Sequence, residues 1–327
     1  MQLDGNDSLL STITLPDICD DSEQFNGMNI PVIISVRPIK PESEKRISFK
    51  KTIKRNNRVL NAAALPKVAC YNMRSLMPKI EMLATNLKDR MCSLALLTEV
   101  WEKENNKKYQ SKIEAMFELK GLDYISTPRP GKKRGGGAAL VVETENYSIS
   151  KLNVQNPDKL EIIWGLLKPT VITGKINKII VCCFYSPPKS KKKSKLIDHM
   201  TLTLQSLKTT YPNAPVIISG DRNDLGIDRL LSIDPSLKQM VDKPTRGQNL
   251  LTLFITDYET CFELPCIVPP IEVDDPKKGG VPSDHKGVIV APLSNNGQQV
   301  NRQRVTRIIR PVTDSALRNI GQVDRIV

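Results

Sequence analysis

Residues 216–223 read VIISGDRN, an apolar β-branched run that changes abruptly into polar residues. The run, over Pro215–Gly220, predicts a short buried strand, and Asp221 and Asn223 stand just beyond its end. Asp221 could accept a proton from an attacking water, while Asn223 could orient the water or a phosphate. Taken alone, the motif favours a tight turn instead, because Asp and Asn are common turn residues.

An apolar run closed by a polar residue recurs along the chain, and turn preference explains the whole set poorly. The residues concerned are Asn72, Glu99, Tyr185, Asp221, Asn223, Asp284 and His285. In layered α/β folds, strand ends bring together residues that are far apart in sequence. A carboxylate at the end of a buried strand, as at Glu99, needs a cation nearby, and Mg²⁺ held with help from Asn72 would supply one. His285 could stabilise charge on phosphate oxygens.

The order of the predicted elements indicates two sheets. Apolar residues at helical spacing predict helices near 76–87, 108–119 and 196–207. Apolar runs predict strands at 68–72, 93–99, 137–142, 160–167, 178–185, 215–220, 251–256 and 286–290. Some strands follow one another without a helix, whereas a parallel array would alternate strictly. We therefore predict an α/β (α+β) sandwich of two packed mixed sheets flanked by helices.

The 327 residues divide into a core-forming middle and two polar ends. Residues 1–65 are acidic and then basic, which predicts a flexible arm or a solvated tail, whereas 66–292 carry the apolar pattern. Residues 293–327 form a basic tail. The net charge of +13 favours polyanionic partners, nucleic acid or an acidic membrane face, although lysines that only keep a protein in solution explain it equally well.

Cysteine usage and the lack of targeting segments indicate an intracellular protein. The seven cysteines include no CxxC pair, so we interpret them as reduced thiols. Adjacent Cys182 and Cys183 should point to opposite faces of a strand. The acidic N-terminus does not resemble a signal peptide, and no apolar run reaches the ~20 residues of a membrane helix.

Two further motifs concern phosphate binding. Arg134 begins an Arg-Gly-Gly-Gly stretch that lacks the Lys-Ser/Thr of a P-loop and precedes a strand, which argues against nucleotide binding. Lys191, Lys192 and Lys193 lie in a basic loop after Tyr185. In a DNA enzyme they would contact backbone phosphates, while a solvated charge run is the alternative interpretation.

Seven short motifs, in this order, resemble the endonuclease/exonuclease/phosphatase superfamily, which includes exonuclease III-like abasic-site endonucleases and deoxyribonuclease I. They are YNMRSL at 71–76, LTEVW at 97–101, RGGGAAL at 134–140, FYSPP at 184–188, SGDRND at 219–224, TRGQN at 245–249 and SDH at 283–285. They are most similar to the endonuclease of non-LTR (LINE-like) retrotransposons. The tail through Arg310 also resembles the linker that leads into a reverse transcriptase in such elements, an enzyme that this sequence does not contain.

The resemblance implies a four-layer α/β sandwich and an enzyme that nicks DNA with Mg²⁺ or Mn²⁺, leaving a 3′-hydroxyl that can prime reverse transcription. The basic part of the N-terminal arm is a candidate nuclear address or nucleic-acid contact, so we expect the enzyme in the nucleus. The resemblance also implies metal binding by Asn72, Glu99 and Asp284, catalysis by Tyr185, Asp221, Asn223, Asp284 and His285, and DNA binding by Arg134, Lys191, Lys192, Lys193, Arg246 and Asn249.

Two positions depart from the family pattern. Arg222 stands where the family usually has an aromatic residue. Thr252 stands where the family usually has the Asp that hydrogen-bonds the catalytic histidine. A threonine hydroxyl can hold an imidazole but cannot stabilise its charged form. Losing such a carboxylate can cost from ~10-fold to ~10⁴-fold in activity, so we expect a weakened nuclease.

Three hypotheses follow from these residues. The first is a Mg²⁺-dependent DNA endonuclease, favoured by the retained Glu99, Asp221 and His285. The second is an inactive DNA-binding remnant of the same fold, favoured by Thr252. The third is a lipid or inositol phosphatase of the same superfamily, which the lysine content does not exclude.

Overall fold

The computed structural model describes residues 62–131, 135–172, 175–273 and 281–293, and strands dominate this part of the chain. The strands are β1 Val68–Asn72, β2 Leu94–Thr98, β3 Leu122–Thr127, β4 Ala138–Glu143, β5 Tyr147–Lys151, β6 Ile162–Pro169, β7 Ile179–Tyr185, β8 Val216–Asp221, β9 Lys238–Gln239, β10 Thr252–Thr256, β11 Cys266–Val268 and β12 Gly287–Val290. The α-helices are α1 Ile80–Asp89, α2 Lys107–Glu118, α3 Lys193–Thr210 and α4 Asp228–Leu231.

A side-chain cap begins α2, and α1 buries one apolar face. The side chain of Asn106 caps α2 by accepting a hydrogen bond from the backbone N–H of Tyr109 at 3.0 Å. In α1, the buried residues Ile80, Leu83 and Leu87 recur at helical spacing and form one apolar face. Among the described residues, no helix has the length and apolar character needed to span a bilayer.

The strands form two mixed six-stranded sheets. The first has the order β11-β12-β1-β2-β4-β3 and the second the order β5-β6-β7-β8-β10-β9. In each sheet one central pair is parallel, β1 with β2 and β7 with β8, and the other neighbours are antiparallel. Parallel neighbours need a crossover, which α1 supplies in the first sheet and α3 in the second.

The sheets pack face to face, with helices on both outer faces. The inner core takes alternate residues of the central strands, including Cys183 of β7. Cys182 points the other way and packs against α3, as predicted. Residues of α1 and α2 cover the outer face of the first sheet. These four layers confirm the predicted α/β sandwich.

The folded part extends slightly beyond the predicted domain. Ala62, Ala64 and Leu65 are buried in the core between the sheets, so the packed structure begins before residue 66. The rest of the predicted arm, 1–61, and of the predicted tail, 294–327, lies outside the described residues. So do Arg134 and Cys19, while the six described cysteines form no disulfide.

Strand register brings the predicted polar residues to one edge of the sandwich. In the first sheet Asn72 pairs with Thr98, so the next residue, Glu99, lies beside it. In the second sheet Tyr185 pairs with Asp221. The antiparallel strands β10 and β12 begin at this edge, where β8 and β1 end, which brings Thr252 and His285 to it.

Candidate active site

Asn72 joins the two sheets through its side-chain amide. Its Nδ2 donates to Glu99 Oε1 at 3.1 Å and to Asp221 Oδ2 at 3.0 Å. Its Oδ1 accepts from the backbone N–H of Arg74 at 3.2 Å, which fixes the orientation of the amide. Two carboxylates from different sheets are therefore held on one neutral side chain.

Two aromatic residues hold the carboxylate of Glu99. The Tyr185 hydroxyl donates to Glu99 Oε1 at 3.1 Å, and Trp101 Nε1 donates to Glu99 Oε2 at 3.2 Å. Burial, followed by the nearby carboxylates of Glu99 and Asp221, raises the pKa of Tyr185 well above its usual value. Tyr185 is therefore a neutral hydrogen-bond donor at physiological pH.

Asp221 is a buried carboxyl with a raised pKa. It is 1% exposed, and burial raises its pKa to about 7, a shift that the charge on Glu99 reinforces. The backbone N–H of Asn223 donates to Asp221 Oδ1 at 3.1 Å, which opposes the shift. The Asn223 amide donates to the carbonyl of Ser186 at 2.9 Å, so its orientation is also fixed. A carboxyl with a pKa near neutrality suits general-base catalysis.

His285 is buried next to Asp221, and its ring Nδ1 has no hydrogen-bond partner among the described residues. Its Nδ1 lies 3.8 Å from Asp221 Oδ2, beyond hydrogen-bond distance. Neither His285 Nδ1 nor the buried Thr252 Oγ1 has a hydrogen-bond partner among the described residues. Burial lowers the pKa of His285, only partly offset by the charge of Asp284, so the ring is largely neutral at pH 7. The Thr252 hydroxyl therefore does not hold this imidazole.

The donor atoms around Asn72 suit a hard cation. The candidate ligand atoms are all oxygens, from the carboxylates of Glu99 and Asp221 and the side-chain carbonyl of Asn72. Asn72 Nδ2 donates to both carboxylates. The described residues contain no group of three or more His, Cys, Asp or Glu arranged to hold a metal. Mg²⁺ is usually bound through one or two carboxylates, with water and substrate phosphate as its other ligands. The residues fit Mg²⁺ in that role and do not form an all-protein cage.

Backbone strain is concentrated around this cluster. Five of the eight described non-glycine residues with positive φ lie here: Arg74 (43°), Ser75 (89°), Glu99 (53°), Trp101 (60°) and Asn223 (46°). Such conformations cost roughly 1–3 kcal/mol each and tend to cluster at functional sites. The strain gives a second physical reason, independent of the hydrogen bonds, to regard this edge as the site.

Other predicted residues lie at the rim. Asp284 is half exposed and its Oδ2 lies 2.6 Å from a guanidinium nitrogen of Arg246. Among the described residues, no hydrogen bond joins Asp284 to Asn72 or Glu99. Asn249 is exposed and pairs through its backbone with Arg246 in a tight turn. The structure thus places Asp284, Arg246 and Asn249 at the rim of the buried cluster and not within it.

A groove of about 440 Å³ opens beside Tyr185. Its basic lining residues are Arg129, Lys159, Lys191, Lys192 and Lys193. Lys192 Nζ donates to the carbonyl of Asp158 at 2.6 Å, and Lys193 forms an ion pair with Asp224. The predicted basic loop therefore lines a groove that leads to the buried cluster.

Several contacts of the site were not predicted from the sequence. Trp101 lies in the LTEVW stretch at 97–101, and its sequence position alone does not indicate its contact with Glu99. Lys79 is fully buried, donates to the carbonyl of Met73, and has a pKa that burial lowers to about 8. Glu161 and Arg129 form an ion pair beside Tyr185. A charged residue within an apolar pattern, as at Lys79 and Glu161, is the signal that could have identified two of them.

No protein-family model and no curated protein matches the sequence. Solved structures do match. The catalytic domain of human Nocturnin is 12% identical over 69% of this chain and 93% of its own, with a TM-score of 0.50. The endonuclease domain of TRAS1, a telomere-specific non-LTR retrotransposon, is 14% identical over 71% of this chain and 100% of its own, with a TM-score of 0.47.

A mannosyl-6-phosphatase of Bacteroides thetaiotaomicron is 15% identical over 70% of this chain and 100% of its own, with a TM-score of 0.49. Identities this low concern the fold alone. Two packed six-stranded sheets with helices outside are the architecture that the chain shares with the Nocturnin catalytic domain. The chain therefore has the fold of the endonuclease/exonuclease/phosphatase superfamily.

Proposed function

We propose that the chain is a Mg²⁺-dependent phosphodiesterase that nicks DNA and leaves a 3′-hydroxyl. The observation that supports it most is the bridge from Glu99 through Asn72 to Asp221, with His285 3.8 Å from Asp221. It combines oxygen donors for a cation, a carboxyl with a pKa near neutrality and a buried imidazole within one cluster. These are the groups that hydrolysis of a phosphate ester needs.

Each residue has a specific task in the proposed reaction. Asp221 takes a proton from a water that Asn223 orients, and the water oxygen forms a bond to phosphorus. His285 donates to the non-bridging phosphate oxygens, where negative charge increases, and so does the Tyr185 hydroxyl, whose single hydrogen turns from Glu99 to the phosphate when substrate binds. The P–O3′ bond breaks, and O3′ takes a proton from solvent, which leaves a 3′-hydroxyl and a 5′-phosphate.

Glu99 and Asn72 would hold Mg²⁺, with Asp284 acting from the rim. When bound, the ion would supply positive charge to the phosphate oxygens. The basic groove next to Tyr185 favours a polymeric anion over a small phosphomonoester. The DNA strand that continues from the scissile phosphate would follow this groove, which is lined by lysines.

The test is nicking of supercoiled plasmid with Mg²⁺, compared with EDTA, followed by extension of the nick with a DNA polymerase. We expect Mg²⁺-dependent nicks that the polymerase extends, because extension requires a 3′-hydroxyl. An inositol phosphate added in excess should not compete. Strong competition together with release of inorganic phosphate would instead indicate the phosphatase hypothesis.

The basic loop should affect DNA affinity and not the chemical step. Replacing Lys191 and Lys192 with Gln should weaken DNA binding and flatten the plot of log affinity against log salt by about one unit per lysine. The rate at saturating DNA should be unchanged. Fluorescence anisotropy over a salt series measures the slope. Lys88→Gln with Lys120→Gln, exposed at the opposite end of the sheet, is the matched control. An unchanged slope would show that the loop does not contact phosphates.

A second candidate, a DNA-binding remnant without turnover, is supported by the unpartnered atoms of Thr252 and His285. Thr252 lies opposite Asp221 in the β8–β10 ladder, and Thr245 connects it to the His285 segment. Thr252→Asp should raise nicking at least about tenfold, because a carboxylate beside a catalytic ring orients it and stabilises its charged form.

Thr252→Asn, which has the size of Asp without its charge, should produce no such gain. Single-turnover nicking rates compare the variants. If the wild-type protein and Thr252→Asp are both inert while DNA still binds, the remnant is the better account of this chain.

A further inference from the structure

A buried ion pair lies behind Tyr185. Glu161 is 8% exposed, and its Oε1 accepts from Arg129 Nε at 2.9 Å while its Oε2 accepts from the backbone N–H of Gly137 at 2.6 Å. Burial, the largest influence, raises the pKa of Glu161, whereas the Gly137 and Arg129 contacts oppose that rise. A buried ion pair is weak evidence for a stabilising role, because desolvation offsets its Coulomb attraction.

The glycine stretch before β4 is shaped around this pair. Gly136 has φ +68°, and a Cβ placed there would lie 2.0 Å from Glu161 Oε2 and 2.4 Å from Arg129 Nε. Gly137 has φ +87° and supplies the N–H that Glu161 accepts. The absence of a side chain at Gly136 lets the carboxylate and the guanidinium pack against the backbone.

Both members of the pair contact Tyr185. The Arg129 guanidinium lies over the Tyr185 ring, with Cζ 5.4 Å from the ring centroid. The backbone carbonyl of Glu161 accepts from the backbone N–H of Tyr185 at 2.8 Å. At the far end of the ring, the Tyr185 hydroxyl donates to Glu99 Oε1. The ring is thus held from its backbone, from its face and at its hydroxyl.

We propose that Arg129 and Glu161 are positioning residues that fix the Tyr185 ring, so that its hydroxyl contacts Glu99 in this structure and turns to the scissile phosphate when substrate is bound. Glu161 holds the guanidinium through Nε, and the guanidinium restrains the ring. The contact between Tyr185 and Glu99 is observed in the structure, whereas the effect on catalysis rests on the proposed function.

The experiment observes the ring directly, in the full chain labelled with ¹³C at the tyrosine ring carbons. The sequence has seven tyrosines, so the spectrum is simple, and Tyr185→Phe assigns the signal. We expect Arg129→Met to shift the Tyr185 signal. We also expect the separate signals from the two edges of the ring to merge, because the ring flips faster. Arg129→Lys, which keeps the cation but lacks the planar fork, should restore part of the wild-type signal. Arg229→Met, which breaks an exposed Arg–Asp pair, is the control and should leave the signal unchanged.

Single-turnover nicking then separates positioning from DNA contact. Arg129→Met and Glu161→Gln should lower the rate at saturating DNA about tenfold, while the DNA concentration for half-saturation changes less than about twofold. Arg129→Met in the Tyr185→Phe background should cause little further loss of rate, because Arg129 acts through the Tyr185 hydroxyl that this background already lacks.

The outcomes distinguish this inference from the proposed function. An unchanged Tyr185 signal in Arg129→Met overturns the inference, as does an unchanged rate with a weaker affinity for DNA, which would make Arg129 a phosphate contact. If Arg129→Met does not fold, Glu161→Gln and Arg129→Lys carry the same comparison. If the Tyr185 signal moves while even the wild-type protein fails to nick, the pair does fix the ring, and the proposed function is what fails.

Discussion

Replacing Glu99 with glutamine should lower the rate of Mg²⁺-dependent nicking about a thousandfold. The proposed ion would stabilise charge in the transition state by several kcal/mol, and each 1.36 kcal/mol corresponds to a factor of ten. The new amide would also oppose its neighbours, because Asn72 Nδ2, the Tyr185 hydroxyl and Trp101 Nε1 all donate towards this side chain. A glutamine has one acceptor oxygen where glutamate has two.

The loss of Mg²⁺ binding expected in Glu99→Gln can be measured without an activity assay. The sequence has two tryptophans, and only Trp101 contacts Glu99, so in a Trp164→Phe background the emission reports this site. Titration with Mg²⁺ should change the emission in the presence of Glu99 and not in Glu99→Gln. Glu118→Gln, on the exposed face of α2, is the control for a lost surface charge. Undiminished nicking by Glu99→Gln would remove Glu99 from the proposed mechanism.

Replacing Asp221 with asparagine should abolish most of the activity and yet stabilise the fold. Removing a general base typically costs 10²- to 10⁴-fold in rate. Because the Asp221 pKa is raised to about 7, nicking by the wild-type protein should rise with pH to a plateau above that value. Asp221→Asn should lose this rise along with the rate. Rates measured between about pH 5 and 9 at saturating Mg²⁺ test both effects.

The sign of the stability effect follows from the same pKa. Asp221 has a folded pKa of about 7 against an ordinary value of 3.8, so between these values the folded state binds more protons than the unfolded state. Its contribution to stability is therefore greatest below about pH 4 and is lost as the pH rises through 7. The raised pKa means that the charged Asp221 destabilises the folded state by about 4 kcal/mol. Asp221→Asn removes this destabilisation but loses one hydrogen bond, which costs about 2 kcal/mol.

We therefore expect Asp221→Asn to be more stable than the wild-type protein by about 2 kcal/mol at pH 8 in EDTA, measured by urea unfolding. Asp224→Asn is the matched control, because that carboxylate lies three residues away, is exposed and pairs with Lys193. It should change neither the nicking rate nor the slope of stability against pH. Equal stability of Asp221→Asn and the wild-type protein would contradict the raised pKa.

The central strands could be predicted from the sequence, whereas the edge strands could not. The eight strands predicted from apolar runs are the eight interior strands of the two sheets. The strands that were not predicted are β3, β5, β9 and β11, the four edges. Edge strands such as β5 bury fewer residues, so their sequence needs no continuous apolar run. The short α4 was also not predicted.

The candidate site could be predicted residue by residue, but its contacts could not. Asn72, Glu99, Tyr185, Asp221, Asn223 and His285 each follow an apolar run or precede one, and the structure brings these six to one edge. Asp284 follows the same pattern and yet pairs with Arg246 at the rim. Adjacent residues near a strand end point in different directions, so position in sequence does not determine which of them faces the cluster.

The sequence by itself determined the layered α/β architecture and the polar residues that end its strands, because apolar periodicity and turn chemistry are local properties. Only the tertiary structure decided that Asn72 bridges carboxylates from both sheets and that Glu161 and Arg129 support Tyr185. It also decided that Thr252 Oγ1 and His285 Nδ1 have no hydrogen-bond partner among the described residues. The Asn72–Asp221 bond joins residues 149 positions apart. Its geometry depends on strand register and on how the sheets pack, which side chains throughout the core set together.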